Sequence, residues 1–341
     1  MSYAIVLLIL ISLYTFYMGY TDGSNAVATT VATRAMKPRL AIILAACVQF
    51  LTVLALYFFS SDLSVAETVG TGLVDPASYA EITAKGAFVF LFSALLSSII
   101  WSLITYFLKQ PNSTSHTLLG GIIGAGIAAF GFSSIHWMNV FLRIILMILL
   151  APLISVGIAY LINKLLRKAA LHAPMGTGKA VTILQWINTC LIASAIAVND
   201  VQKSIGVYLM IVSLGIAGLP ATPPLYIVLS FGALLGFGIL FGGYHVIVTI
   251  GQKLFKITPL MSLSSQISTN IIMFSSSALG IPISTGQVIS SGIVGIGISE
   301  RARGVKWITV KKIALGWVVT MPATVLFGAI LYLLLHLIIG G

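Results

Sequence analysis

Four oxygen-bearing side chains stand in two pairs inside apolar sequence. Asp22 and Asn25 lie in "MGYTDGSNAVATTVATRAM" (residues 18–36), three apart and therefore on one helix face. Asn199 and Asp200 are adjacent in "IAVNDVQKSIG". A carboxylate at the centre of a membrane helix costs about 2.5–3.5 kcal/mol even on lenient insertion scales, so its retention needs a reason. Asp and Asn oxygens suit a hard cation such as Na⁺, and a carboxylate can equally carry a proton. The plainer reading is that each Asp caps one half of an interrupted helix. The chain has only seven acids, and these two are the ones set within apolar runs.

Two Pro-Ser/Thr turns form a second set. "PNSTSH" begins at Pro111, 89 residues after Asp22; "PISTGQ" begins at Pro282, 82 residues after Asp200. Ser113, Thr114, Ser115 and His116 open the helix "LLGGIIGAG", and Ser284 and Thr285 open "VISSGIVGIG". A helix N-terminus offers free N–H groups and a positive dipole end, which bind anions. Hydroxyls add donors without a fixed charge. Two such turns meeting from opposite sides would cradle a small tetrahedral oxyanion; the alternative is ordinary capping of two short helices. His116 is placed to donate to the anion, to relay a proton, or to satisfy a buried carbonyl. His245 reads as structural. "MGTGKA" (175–180) lacks the spacing and preceding strand of a phosphate-binding P-loop. The glycines of 120–131 and 292–297 read as close helix packing. Cys47 and Cys190 read as buried thiols, and no Cys/His spacing suggests a metal site.

The elements that must position these residues are membrane helices. The 341 residues are 59% hydrophobic and 7% charged, with mean hydropathy +1.10. That leaves room for about ten spans and no large soluble domain. The first run lacks a basic leader and reads as a span, not a cleaved signal. The net charge of +11 would suggest nucleic acid until the charges are placed. They cluster at span ends: Arg34, Lys37 and Arg39; Lys164, Arg167, Lys168 and Lys179; Lys253 and Lys256; Arg301, Arg303, Lys306, Lys311 and Lys312. Such clusters mark the cytoplasmic side. The 60–85 loop carries Asp62, Glu67, Asp75 and Glu81 against Lys85, and is predicted to face outward.

Apolar runs fall into two sets of five: roughly 3–34, 38–60, 83–108, 117–132 and 138–163, then 180–214, 225–252, 259–281, 283–299 and 312–338. The first of each set is long and interrupted by polar residues; the fourth is short, glycine-rich and preceded by a Pro-Ser/Thr turn. An odd number of crossings per half gives opposite topologies. The expectation is an all-α integral membrane protein built from two inverted-topology repeats of about five segments, with broken helices and re-entrant-like short segments. Residues 1–163 form one repeat, 164–179 a cytoplasmic linker and 180–341 the other, with both termini outside. Paired irregular segments at corresponding places point to the midplane site of a transporter.

"DGSNAVATTVATRAM", "SIIWSLITYFLKQPNSTSHTLLGGIIGAG", "NDVQKSIG" and "GIPISTGQVISSGIVGIG", in that order, closely resemble the inorganic phosphate transporter family, and its bacterial low-affinity subgroup in particular. "KKIALGWVVTMPATVLFGAILYLLL" is similar too. The resemblance spans nearly the whole chain outside the acidic loop and the linker. It implies cation- or proton-coupled phosphate symport by an elevator-like carrier in the cell membrane, a homodimer, and a cytoplasmic PhoU-like accessory protein. It implies that Asp22, Asn25, Asn199 and Asp200 hold the coupling ion (H⁺ or Na⁺), and that Ser113, Thr114, Ser115, Ser284 and Thr285 hold phosphate. His116, Lys203, Gln266 and Gln287 become accessory residues, with no bound cofactor or metal.

The chain departs from the family pattern at four places. Thr21 stands where the family has Asn, His or Gln, and Gly286-Gln287 replaces Thr/Ser-His. Gln266 replaces a Glu of some sodium-coupled members, and Lys203 an Asn. An ammonium three residues from Asp200 competes with a bound cation, which favours proton coupling, with a metal–phosphate complex as a candidate substrate. The rival readings are a sulfate carrier of the same fold, an integral-membrane enzyme and a passive anion channel. An enzyme needs a clustered acid/base or metal set that the motifs do not supply.

Overall fold

The structure is a computed structural model that describes residues 2–59, 63–79, 82–108, 110, 112–174, 176–216 and 218–339. The side chains of Ser2 and of 243–253 are not described. Asp62, Glu81, Pro111 and the side chains of His245 and Lys253 thus lie outside the described residues.

The described elements are helical. In chain order they are α1 (Ser2–Met18), a π-helical turn (Gly19–Gly23), α2 (Ser24–Ala32), α3 (Pro38–Phe59), α4 (Ser64–Gly70), α5 (Ala84–Phe107) and α6 (Thr114–Phe130). There follow α7 (Trp137–Asn139), a second π-helical turn (Val140–Ile145), α8 (Leu146–Ala170), α9 (Gly178–Ser213), α10 (Leu225–Lys253), α11 (Pro259–Ala278), α12 (Thr285–Arg301) and α13 (Trp307–Ile339). Seven helical runs are long and apolar enough to cross a membrane: Tyr3–Ala32, Pro38–Phe59, Ala84–Phe107, Trp137–Ala170, Gly178–Ser213, Leu225–Gly242 and Trp307–Ile339. The ten expected segments are all helical, but α6, α11 and α12 fall outside this set. At 17 residues each, α6 and α12 reach only about 25 Å, short of a hydrocarbon core of about 30 Å. Helix α11 is rich in Ser, Thr and Asn.

Those three helices explain the irregular segments. The α5–α6 hairpin has its open end beside the N-terminus, where Tyr3 stacks on Phe88 at 4.6 Å and Tyr79 meets Phe130. The α11–α12 hairpin has its open end at the opposite pole, where Asn163 bonds Ser299 and Glu300, and Gly297 packs against Phe255. The starts of α6 and α12 are buried: Ser113, Thr114, Ser284 and Thr285 are almost inaccessible, whereas Phe107, Leu108 and Leu279 in the preceding turns are exposed. The two hairpins therefore run in from opposite ends and place these helix starts inside the molecule.

The expected breaks at Asp22 and Asp200 are absent. Residues 19–23 widen into a π turn without leaving the helix, and α9 runs as one α-helix from Gly178 to Ser213. Asp22 is bonded by Thr114 of α6 and Asp200 by Lys203 on the next turn of its own helix, and the backbone ladder stays closed even at Asn199, whose side chain has no partner among the described residues. The π turn is clamped by α10, whose Leu235 carbonyl leaves room only for glycine at position 19.

Two hydrophobic cores lie on either side of this level. One gathers α1, α4, α5, α6, the second half of α9 and the start of α10; the other gathers α2, the start of α3, the first half of α9, α11 and α12. Glycines set the closest approaches, as expected for 120–131 and 292–297. A Cβ on Gly124 would overlap the Val325 carbonyl of α13, and one on Gly295 the Val156 carbonyl of α8. The two thiols differ from expectation: Cys47 is exposed and Cys190 half-buried. In a bundle solvated by lipid, apolar surroundings mark the outer surface as readily as the core.

The basic clusters come to one pole. It holds the α2–α3, α8–α9, α10–α11 and α12–α13 connections, tied by Trp186 Nε1 to the Ala35 carbonyl (2.8 Å), Lys306 N to the Leu254 carbonyl (3.3 Å) and the Arg167–Glu300 ion pair.

Candidate functional site

Between the two cores the hairpin tips touch. Ser115 Oγ donates to the Ile283 carbonyl at 2.9 Å, joining the first turn of α6 to the turn that precedes α12. Both helices are capped as their sequences dictate: Ser113 Oγ accepts from His116 N (3.3 Å) and Ser284 Oγ from Gln287 N (3.4 Å). The capping reading is thus correct for these two serines, and it leaves each hydroxyl proton free to donate. Thr114 and Thr285 follow the caps. Thr285 Oγ1 is buried without a hydrogen-bond partner among the described residues, whereas Thr114 Oγ1 donates to Asp22 Oδ2.

That bond brings the first carboxylate to the tip of α6. Asp22 is only 6% exposed. Tyr14, earlier on the same helix, donates to the Thr114 carbonyl and shares a hydrogen bond with Thr117 Oγ1 at 2.7 Å. From α9, Lys203 Nζ donates to Asp200 Oδ1 at 2.7 Å; the lysine is 1% and the aspartate 0% exposed. Asp200 Oδ2 has no hydrogen-bond partner among the described residues. A hydrogen bond of 2.7 Å between Thr15 and Ser204, the neighbour of Lys203, lays α9 against α1 two turns before Asp22. The tertiary structure therefore assembles Asp22, Asp200, Lys203, Thr114 and His116 into one buried cluster. With both carboxylates ionised and the ammonium charged, the two Asp and Lys203 together carry a single negative charge.

The amides sit around this cluster. Asn25 Nδ2 would lie 3.7 Å from a Cβ on Gly286, which puts it against the first turn of α12. Its Oδ1 and both side-chain atoms of the fully buried Asn199 lack hydrogen-bond partners among the described residues. His116 Nδ1 is buried without a hydrogen-bond partner among the described residues, and the ring lines a narrow gap together with Gln287, Pro282 and Ile283. Gln266 stands apart. Its Nε2 donates to Thr30 Oγ1 (2.5 Å) and Thr189 Oγ1 (3.1 Å), with Thr30 about 12 Å along α2 from Asp22.

Several participants escaped the motif reading. Tyr14 and Gln49 belong to no motif, and Thr117, within a quoted stretch, was given no role. Gln49 is fully buried on α3 with both amide atoms unpartnered among the described residues, its Nε2 3.1 Å from where a Cβ on Gly23 would be. The available signal was a lone amide in the apolar run "LAACVQFLTVLAL".

A family model described as the phosphate transporter family matches residues 18–328. The chain belongs to the phosphate transporter family. It is 33% identical over 327 residues to a protein of Bacillus subtilis (strain 168) named "Probable low-affinity inorganic phosphate transporter", covering 95% of both chains. A Rhizobium meliloti (strain 1021) protein of the same name is 33% identical over 321 residues, covering 94% of this chain and 92% of the relative. In fold the chain matches a solved structure titled "The sodium-dependent phosphate transporter", with a TM-score of 0.82 at 22% identity over 99% of this chain and 100% of the other. These family members are transporters, not enzymes, which sets the membrane-enzyme reading aside. Within this phosphate transporter family chain, the hairpin tips and the charged cluster are the buried polar centre of a multi-pass membrane protein.

Proposed function

We propose that the chain is a secondary active symporter that imports inorganic phosphate across the cell membrane. Protons drive it, by an elevator-like alternation of two inverted repeats (1–163 and 180–341) about the hairpin tips. The termini face outward and the basic pole, with the 164–179 linker, faces the cytoplasm, in keeping with the positive-inside rule. Phosphate is held by the Thr285 hydroxyl, by the hydroxyl protons of Ser113 and Ser284, and by free N–H groups at the starts of α6 and α12. Asp22, with Asn25, Asn199 and Asp200, holds the coupling ion.

One observation carries the coupling argument: the buried ammonium of Lys203, 2.7 Å from Asp200. It already neutralises one carboxylate, so one further positive charge makes the cluster neutral. A phosphate anion then meets no net repulsion, whereas in a low-dielectric site an uncancelled carboxylate a few ångströms away opposes it strongly. Coupling follows from this charge balance. One Na⁺ satisfies the same balance, and the fold neighbour's title names sodium. Here, however, the ammonium occupies the space beside Asp200.

The test is uptake of labelled phosphate into proteoliposomes with proton and sodium gradients imposed separately, with and without Mg²⁺. Uptake should follow the pH gradient and ignore sodium. Uptake that requires sodium and ignores pH refutes proton coupling. Dependence on Mg²⁺ would identify a metal–phosphate complex as the substrate. Full competition by sulfate would return the sulfate reading.

A further inference from the structure

The acidic segment after α3 leaves the surface at α4, whereas Glu67 and Ala77 stay exposed. Within it, α4 is driven into the bundle: Val65, Ala66 and Val69 are fully buried and Thr68 nearly so. It lies on α9 just beyond the charged cluster. The N–H groups of Val65 and Ala66 donate to Oε1 of Gln202, two residues after Asp200, at 3.0 and 3.3 Å. One turn on, a Cβ at Gly206 would meet the Ala66 carbonyl at 2.7 Å, so only glycine lets the helices close.

The other side of α4 rests on the α11–α12 tip. Thr68 Oγ1 donates to the Gly280 carbonyl at 2.8 Å, two residues before Pro282, and accepts from Arg143 Nη1 at 2.8 Å. Arg143 sits in the π-helical turn ahead of α8, and Asn139, four residues earlier, donates to the Gly72 carbonyl at 3.1 Å. Gly280 has φ +65°, and a Cβ there would meet Ser64 Cβ at 2.9 Å. The tip is therefore shaped to receive this helix.

We propose that α4 is the gate that closes the phosphate site toward the face carrying the termini, and that the relay Arg143–Thr68–Gly280 is its latch. The inference rests on the transport reading above. The latch is bistable for a simple reason. The Thr68 hydroxyl has one proton and two acceptors within reach: the Gly280 carbonyl at 2.8 Å and the Ser64 carbonyl of its own helix at 3.0 Å. Parting α4 from the tip trades one bond for the other and leaves no hydroxyl unsatisfied, while the released Gly280 carbonyl meets water. Opening is thus cheap at the latch, and the buried apolar face of α4 supplies the closing force.

The test reads access, not phosphate. Cys47 and Cys190 are replaced by Ser, and Gly286→Cys serves as reporter, since a Cβ there makes only an ordinary contact with Asn25. In reconstituted protein, Thr68→Val leaves the Gly280 carbonyl and Arg143 Nη1 without this partner in the closed state only, where water cannot replace it, and should raise labelling of this cysteine from the terminal face by about tenfold; Thr68→Ser should restore protection. Equal labelling in the Val and Ser variants overturns the proposal. Failure of the transport reading would instead appear as no uptake by the parent protein, with the labelling result intact.

Discussion

At the scale of single residues, Asp22 differs from Asp200 in its partner. Asp22 accepts from a neutral hydroxyl on α6, while Asp200 is paired with a cation on its own helix. In the proposed mechanism Asp22 is therefore the carboxylate whose charge awaits an ion from solution. Asp22→Asn keeps an acceptor for Thr114 but fixes the site as neutral. It should abolish gradient-driven accumulation while phosphate/phosphate exchange in proteoliposomes survives; accumulation at the normal level would show that the coupling ion binds elsewhere. Lys203 belongs to a buried pair, and breaking such a pair from one side costs about 3–5 kcal/mol. Lys203→Asn should lower the melting temperature in detergent and impair proton-driven uptake, opening room for a sodium response. The double variant Asp200→Asn/Lys203→Asn should regain most of the lost stability. A double variant no more stable than Lys203→Asn would mean that the pair is not the source of the loss.

At the scale of elements, the hairpin tips separate two duties that one motif combines. Ser113 and Ser284 cap their helices, Ser115 ties tip to tip, and Thr114 serves Asp22. Thr285 has no such duty in the described structure. A hydrogen bond to a charged ligand contributes about 1.5–3 kcal/mol, so Thr285→Val should weaken phosphate binding by about one to two orders of magnitude. Ser284→Ala should also destabilise α12 by about 1 kcal/mol through the lost cap. Isothermal titration together with thermal melting distinguishes the two effects. Unchanged affinity in Thr285→Val would move the anion off the α12 tip.

At the scale of the whole molecule, two hairpins from opposite poles and basic clusters gathered at one pole support the proposed inverted arrangement in a membrane. Residue 77 lies at the terminal pole and residue 177 at the basic pole, both exposed. With Cys47 and Cys190 replaced by Ser, an impermeant thiol reagent should label Ala77→Cys only from outside and Thr177→Cys only from inside. Labelling of both from one side would refute the inverted topology. The basic clusters lie at helix ends of one pole, whereas Lys203 is buried in the middle of α9.

The helices, their order and the two sets of reactive residues were legible in the chain, because membrane spans announce themselves by length and apolarity, and polar residues within them are rare enough to stand out. The pairing of Lys203 with Asp200 was legible too, since three residues along a helix is a contact distance. The meeting of Asp22 with Thr114, 92 residues away, was not, nor was the tie from Ser115 to Ile283. Sequence spacing sets which face of a helix a residue occupies but not which helix lies opposite. The continuity of the helices at Asp22 and Asp200 was likewise visible only in the structure, where Thr114 and Lys203 bond the two carboxylates and the backbone ladder stays closed around them. The burial of α4 was furthest from view. Its acidic, loop-like surroundings read as surface, and only the packed structure, with glycine at 206 and 280, supplies the groove that admits it.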